Sequence, residues 1–376
     1  MIRLALVALA ACAPAPVPAP APVPAPAPVP SADAAAAQDE ILAAIQKAMN
    51  DLAPVANACW AKAATERFDI EGQLVVRIDV ASPPAIDVVQ DTTRSPALAT
   101  CMRAALAAYP FAPPLRGQMF QLPFAWTAPG GQSVIDRRLV DAHAQGDVSI
   151  AVLLDENNTG NAAASMFEIA IKKGGSTGLR WADRAELWYF LDDAQVTSVA
   201  GGTHAVAVGD MMYAPKSSAR EVKAAVGDVH AVIVVVPGGR EGAARAGALP
   251  TQAVTGWLSA PLSPIILPAG AAKAFGPATI FLDASLEKHT PLAASILQLP
   301  AGATVAQHVH AHETEVLYVL AGAGTMTVAG TNLPIAPTSV VQIPPNTEHA
   351  FRASDAVRAL QIYTPAGPEQ RFKKAP

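Results

Sequence analysis

Residues Gly302–Gly322 read GATVAQHVHAHETEVLYVLAG. Three histidines stand at alternate positions, His308, His310 and His312, and two glutamates follow at Glu313 and Glu315. Alternation is the strand period, so the three imidazoles project from one face wherever the segment is extended. Imidazole and carboxylate together make a ligand set for transition metals such as Fe, Mn, Ni or Zn.

The same frame occurs earlier in the chain. Glu186 begins ELWYFL as Glu315 begins EVLYVL, and Gly209–Pro215 (GDMMYAP) matches Thr338–Pro344 (TSVVQIP). Both pairs are displaced by 129 residues, 186 to 315 and 215 to 344. A constant offset over separated landmarks implies two copies of one domain, residues 134–237 and 263–370. Each copy consists of short apolar runs broken by Gly, Pro and Asn, the signature of an all-β sandwich or barrel. The Ala/Gly/Pro-rich segment 238–262 reads as a linker able to lend strands to either copy.

The histidine segment resembles the first motif of the cupins: Gly, five residues, His-x-His, three or four residues, Glu, six residues, Gly. Gly302, His308, His310, Glu315 and Gly322 meet it without departure. The second motif is Gly, five residues, Pro-x-Gly, two residues, His, three residues, Asn. Pro344 and His349 satisfy its firmest positions, whereas Thr338, Asn346 and Ala353 replace the first Gly, the turn Gly and the Asn. Asn tolerates positive φ better than other residues with a Cβ, so Asn346 is expected to make the same turn.

The duplication then resembles a bicupin, which implies a mainly β fold with two tandem cupin β-barrels. The resemblance further implies that His308, His310, Glu315 and His349 converge on one divalent transition metal. Three imidazoles and one carboxylate leave two positions of an octahedral ion open for water, O₂ or an oxyanion. His312 has no place in the motif and is expected at the rim, or else facing the mouth as a proton shuttle. Glu313 reads as a solvated hairpin charge.

In the first copy the two motif histidines become Leu179 and Trp181, or Arg180 and Ala182 in the shorter spacing, and the second-motif His becomes Arg220. No register gives a metal set, so this copy is expected to be metal-free. Glu186 and Arg220 would either pair inside the barrel or leave Arg220 to receive an anion, and retention for packing is the plainest role.

Before the copies lies an α-β-β-α-β pattern. Apolar residues at helical spacing run from Ala34 to Ala64, strands are expected at Gln73–Val80, Ile86–Gln90 and Met119–Trp126, and a second helix at Pro96–Tyr109. With Ala58-Cys59-Trp60 on the first helix, Glu71-Gly72 entering a strand and Cys101 opening the second helix, residues 39–129 resemble the TonB-like C-terminal domains of the AgmX/PglI type. That resemblance implies a small α+β domain with a Cys59–Cys101 disulfide and an envelope protein as partner. Two buried thiols are the alternative.

The chain opens MIRLALVALAAC, and Leu9-Ala10-Ala11-Cys12 resembles a bacterial lipobox. Residues 1–12 would then be a lipoprotein signal with Cys12 lipidated and the membrane reached through that anchor. Such a signal is short, which suggests a start upstream of Met1. An ordinary apolar leader is the alternative. Of three cysteines, removing Cys12 leaves an even pair, as suits an oxidising envelope compartment. Ala13 after the cysteine resembles lipoproteins sorted to the outer membrane, which implies a periplasmic location. Residues 13–38 form an Ala/Pro linker, and Pro14–Pro30 would extend as a polyproline-II stalk of roughly 50 Å.

A net charge of −5 with scattered Lys and Arg leaves no basic stripe and excludes a nucleic-acid footprint. Two functions remain. One is a metal-dependent enzyme of the dioxygenase, isomerase or decarboxylase type acting on a small oxygen-bearing molecule. The other is a non-catalytic envelope module that binds a metal or small ligand. Gln342, Phe351, Gln361 and Tyr363 are candidate inward-facing neighbours of the site, and Arg352 and Arg358 candidate anion partners. The tail TPAGPEQRFKK resembles tails of small single-domain cupins and does not narrow the substrate.

Overall fold

A computed structural model describes residues 32–67, 70–126, 133–199, 201–255 and 262–374. Cys12 and the proline stalk lie outside the described residues.

The small N-terminal domain has the expected order of elements. Helix Ala32–Ala64 and helix Pro96–Ala108 pack on an antiparallel sheet of Gly72–Asp79, Ala85–Asp91 and Met119–Trp126, with Gly72–Asp79 in the middle. Leu74, Val76 and Ile78 alternate onto the buried face, and Leu98, Met102 and Leu106 recur every fourth residue to meet them. Ser95 caps the second helix through the Leu98 amide, and Pro96 sits in its first turn, where a missing N–H costs nothing. A Cys59–Cys101 disulfide ties the two helices, with Cα atoms 5.7 Å apart.

The remainder forms two tandem cupin barrels. The first combines a five-stranded and a seven-stranded sheet, and the second a seven-stranded and a four-stranded sheet. The 129-residue offset survives in the backbone. Glu186 pairs with Ala214 as Glu315 pairs with Ile343. Gly209 and Thr338 both take positive φ, 89° and 71°, and so do Ser217 and Asn346, at 67° and 57°.

Why both ELWYFL and EVLYVL are apolar throughout is now plain. In Ala185–Phe190, Trp188 and Phe190 face the interior of their own barrel, while Leu187 and Tyr189 face the other barrel. In Thr314–Ala321, Leu317 and Val319 point inward and Val316 and Tyr318 face outward into the same shared core. The two large sheets stack back to back, and a strand buried on both faces has no use for alternation. The equivalent tyrosines add polar ties across this interface: Tyr318 donates to Glu168 at 3.2 Å, and Arg358 donates to Tyr189 at 3.0 Å.

Sheet and sequence boundaries do not coincide. Val134–Asp136, in the first copy by sequence, adds an edge strand to the second barrel beside Ser339–Ile343. Ile265–Leu267, in the second copy by sequence, joins the first barrel beside Met211–Ala214. Within the linker, Gln252–Ala253 pairs with Arg180–Trp181 and extends the smaller sheet of the first barrel. Among the described residues no helix is long and apolar enough to cross a membrane.

Candidate metal centre

The four motif residues reach one point from three strands and the loop between two of them. His308 ends strand Thr304–His308, and His349 begins the neighbouring strand His349–Ala353 directly opposite it. Glu315 stands near the start of Thr314–Ala321, on the face that continues through Leu317 and Val319. His310 lies between the two motif strands, its carbonyl accepting from the Asn346 amide at 2.7 Å. Asn346 makes the left-handed turn expected of it, and that turn fastens the second motif to the first. Gly322 closes the strand at φ 84°, where a Cβ would lie 2.0 Å from the Ala356 carbonyl oxygen.

One ligand atom from each of His308, His310, Glu315 and His349 lies within 4.8 Å of the others. His310, Glu315 and His349 are buried and His308 is partly so. The His308 and His349 rings approach to 4.1 Å, and His310 stands 5.0 and 5.1 Å from them. His308 Nδ1 lies 2.9 Å from the Ala306 carbonyl and His349 Nδ1 2.9 Å from the Thr347 carbonyl. A carbonyl only accepts, so both rings carry their proton on Nδ1 and turn an Nε2 lone pair inward. These two buried Nε2 atoms have no hydrogen-bond partner. His349 Nε2 comes to 3.3 Å from Glu315 Oε2, but two acceptors facing each other make no hydrogen bond. Unsatisfied, inward-facing lone pairs beside a carboxylate fit a divalent transition ion.

Glu315 is held from behind. Gln361 donates to its Oε1 at 2.7 Å and Tyr363 at 3.2 Å, and Ser295 in turn donates to the Gln361 oxygen at 3.1 Å. His310 Nε2 lies 3.2 Å from Oε2. Burial pushes the Glu315 carboxyl upward, but the hydrogen bonds from His310 and Gln361 outweigh it, and the group is held well below the usual carboxylate range. Burial also pushes the His308 imidazole down, and the nearby His349, Arg371 and His310 add to the effect. A deprotonated carboxylate and a neutral imidazole are the forms a metal requires. Tyr363, raised by burial and by Glu315, keeps its phenolic proton.

His308, Glu315 and His349 line a cavity of about 320 Å³ inside the barrel. Phe351 and Gln361 line it as expected, whereas Gln342 is buried without lining it. Of the two candidate anion partners, Arg352 is exposed and Arg358 is turned to Tyr189. His312 stays outside the quartet, as its absence from the motif implied, because the segment is not extended that far. The strand ends at His308, His312 lies in an exposed bend, and only the first two imidazoles of the alternating set point inward. The tail, from which nothing specific was expected, supplies Arg371 and Phe372 to the cavity. No motif marks them, because the contact depends on the last short helix, Gln370–Lys373, folding back over the barrel.

In the first barrel the equivalent positions hold an ion pair. Arg220 Nη2 bonds Glu186 Oε2, the two side chains are 3% and 1% exposed, and the Trp188 indole donates to the same oxygen at 2.8 Å. Of the two alternatives for Arg220, internal pairing is the arrangement present. Burial, with Arg180 nearby, pushes the Arg220 guanidinium down to about 9, which leaves it charged at neutral pH. Arg180 donates to the Thr251 hydroxyl and carbonyl, both at 2.6 Å.

Comparison with known proteins agrees with this geometry. Residues 295–363 match the family model described as the cupin domain. The chain is similar in fold to oxalate decarboxylase from Bacillus subtilis at pH 4.6, with 14% identity, a TM-score of 0.50, and coverage of 63% of this chain and 77% of that one. A point mutant of the Bacillus subtilis enzyme superposes with 13% identity and a TM-score of 0.52, covering 65% of this chain and 83% of that one. A further structure of the enzyme, described for its Mn(II) centres, has 14% identity and a TM-score of 0.50, covering 63% and 78%. No curated protein matches the chain.

Proposed function

We propose that this protein is a cell-envelope lipoprotein whose second cupin barrel binds one divalent transition metal and acts as a metal-dependent enzyme on a small oxygen-bearing molecule. The observation that carries the reading is the pair of buried, unpartnered Nε2 atoms of His308 and His349, which converge with His310 and Glu315 and, with Glu315, line a cavity. Burying such acceptors without a partner costs about 1–3 kcal/mol each, and coordination removes that cost. The Mn(II) centres of the bicupin neighbour support manganese as one candidate beside iron, nickel and zinc.

When bound, the ion supplies Lewis-acid or redox chemistry at its open positions. The chain does the rest. Backbone carbonyls fix the tautomers of His308 and His349, and Gln361 and Tyr363 fix the Glu315 carboxylate. The Tyr363 hydroxyl keeps its proton and remains a donor beside the site. Support for the envelope location comes from the lipobox-like segment ending at Cys12 and from the Cys59–Cys101 disulfide, which suits an oxidising compartment. The small domain, on its resemblance to TonB-like domains, is the part that would meet an envelope partner.

The test is elemental analysis of the full chain prepared with each metal, alongside O₂ uptake and product analysis over a panel of diols, enols and keto acids. Bound metal with turnover that disappears in His310→Ala supports the enzyme. Bound metal without turnover on any member favours a non-catalytic binding module, and no bound metal removes the site.

A further inference from the structure

The cavity above the quartet differs sharply in character from its floor. Its walls are Leu297, Leu299, Leu317, Val319, Met326 and Ile335, with Phe351 and Val357 completing an apolar lining. The polar lining consists of His308, Glu315 and His349 of the metal quartet with Gln361, Arg371 and Thr304. At about 320 Å³ the space lies at the low end of sites that enclose drug-sized molecules. A two-carbon dianion such as oxalate would leave those walls untouched.

Arg371 is the one cation among the lining residues. Its Nη2 donates to the Tyr363 hydroxyl at 3.2 Å, and that hydroxyl donates to Glu315, so the guanidinium stands one side chain away from a metal-ligand position. Phe372 stacks against it, with the guanidinium carbon 5.0 Å from the ring centre, which fixes the planar group. No carboxylate pairs with Arg371 among the described residues, and most of its donors are free. Its charge is felt at both His308 and Tyr363.

We propose that the second barrel takes an apolar carboxylic acid, its hydrocarbon body lying along the Leu297–Val319–Met326 wall and its carboxylate meeting Arg371 beside the metal quartet. The inference rests on the proposed metal-dependent function and names its substrate class. A hydrocarbon body gains affinity with every buried methylene, and an arginine fork recognises a carboxylate through two parallel bonds. Arg371 is then a specificity-determining residue that selects acids over neutral molecules of the same shape.

The experiment is calorimetric titration of the full chain, with metal content measured on each sample, against straight-chain carboxylates of increasing length and the matched primary alcohols. Affinity is expected to rise about fourfold per added methylene until the cavity is full. Each acid should bind at least about tenfold more tightly than its alcohol, and Arg371→Gln should remove most of that preference with metal content unchanged. Met326→Trp, which fills the cavity, should abolish the gain from the longer chains and leave the acid-over-alcohol preference intact. A flat length series overturns the apolar body, and an unchanged preference in Arg371→Gln overturns the role of that residue. Samples without metal would fail the metal-enzyme reading alone, because the length series and the Arg371→Gln comparison remain readable on them.

Discussion

The two barrels share a backbone frame and differ in what fills it. At equivalent positions the first has Glu186 and Arg220 bonded to each other, with a residual space of about 10 Å³ beside them, and the second has Glu315 and His349 facing a cavity of about 320 Å³. In the first, linker residues Leu249, Pro250 and Thr251 line that space, and Arg180 is tied to Thr251. The cavity of the second is lined in part by the short helix carrying Arg371 and Phe372. A carboxylate in a barrel interior needs a positive partner. An arginine from the barrel's other sheet meets the charge internally, whereas imidazoles around Glu315 leave it to be met by a bound cation.

The sharpest way to break the contrast is to move one residue across it. His349→Arg places in the second barrel the partner that Glu186 has in the first, and should reduce bound metal from about one ion per chain to none while the chain stays folded by circular dichroism. Retained metal would mean that the fourth ligand is dispensable. Next in size is the reverse disturbance. Arg220→Met strands the buried Glu186 carboxylate and should cost about 3–5 kcal/mol in denaturant unfolding, and adding Glu186→Gln should recover more than half of that. Additive losses would show that the pair is not coupled.

A smaller effect is expected behind the metal quartet. Gln361→Leu removes the shortest hydrogen bond to Glu315 and should weaken metal affinity about 10- to 100-fold, read by competition with a chromophoric chelator. Lowering the pH should act in the same direction. Metal and proton compete for the inward Nε2 atom of His308, and burial holds that imidazole below its ordinary value, so bound metal should persist at neutral pH and fall only once the pH drops far enough to protonate it. The smallest effect concerns the backbone. At the shared positive-φ position the first barrel has Gly209 and the second Thr338, and Thr338→Gly should raise the unfolding free energy by about 1 kcal/mol.

These differences also explain what could be read in the sequence. Barrel duplication was visible because strands buried on both faces leave continuous apolar runs, and two such runs recur at one offset. The convergence of His308, His310, Glu315 and His349 was implied by the resemblance to the cupin motifs, and the positive φ of Asn346 by the chemistry of its turn. Alternation alone did not decide His312, since periodicity does not show where a strand ends; its absence from the motif did, and it lies exposed outside the quartet. The exchange of Val134–Asp136 and Ile265–Leu267 between barrels was also invisible, because three-residue strands carry no period of their own. Arg371 escaped notice for a related reason: its importance comes from the fold-back of the tail.

The central claim is that a duplicated barrel keeps one metal centre and has closed the other with an ion pair. Metal analysis of the full chain after metal-replete preparation tests it most directly. About one divalent transition ion per chain, lost in His349→Arg and unchanged in Arg220→Met, is the result expected here. A second equivalent, or metal that persists in His349→Arg, would contradict it.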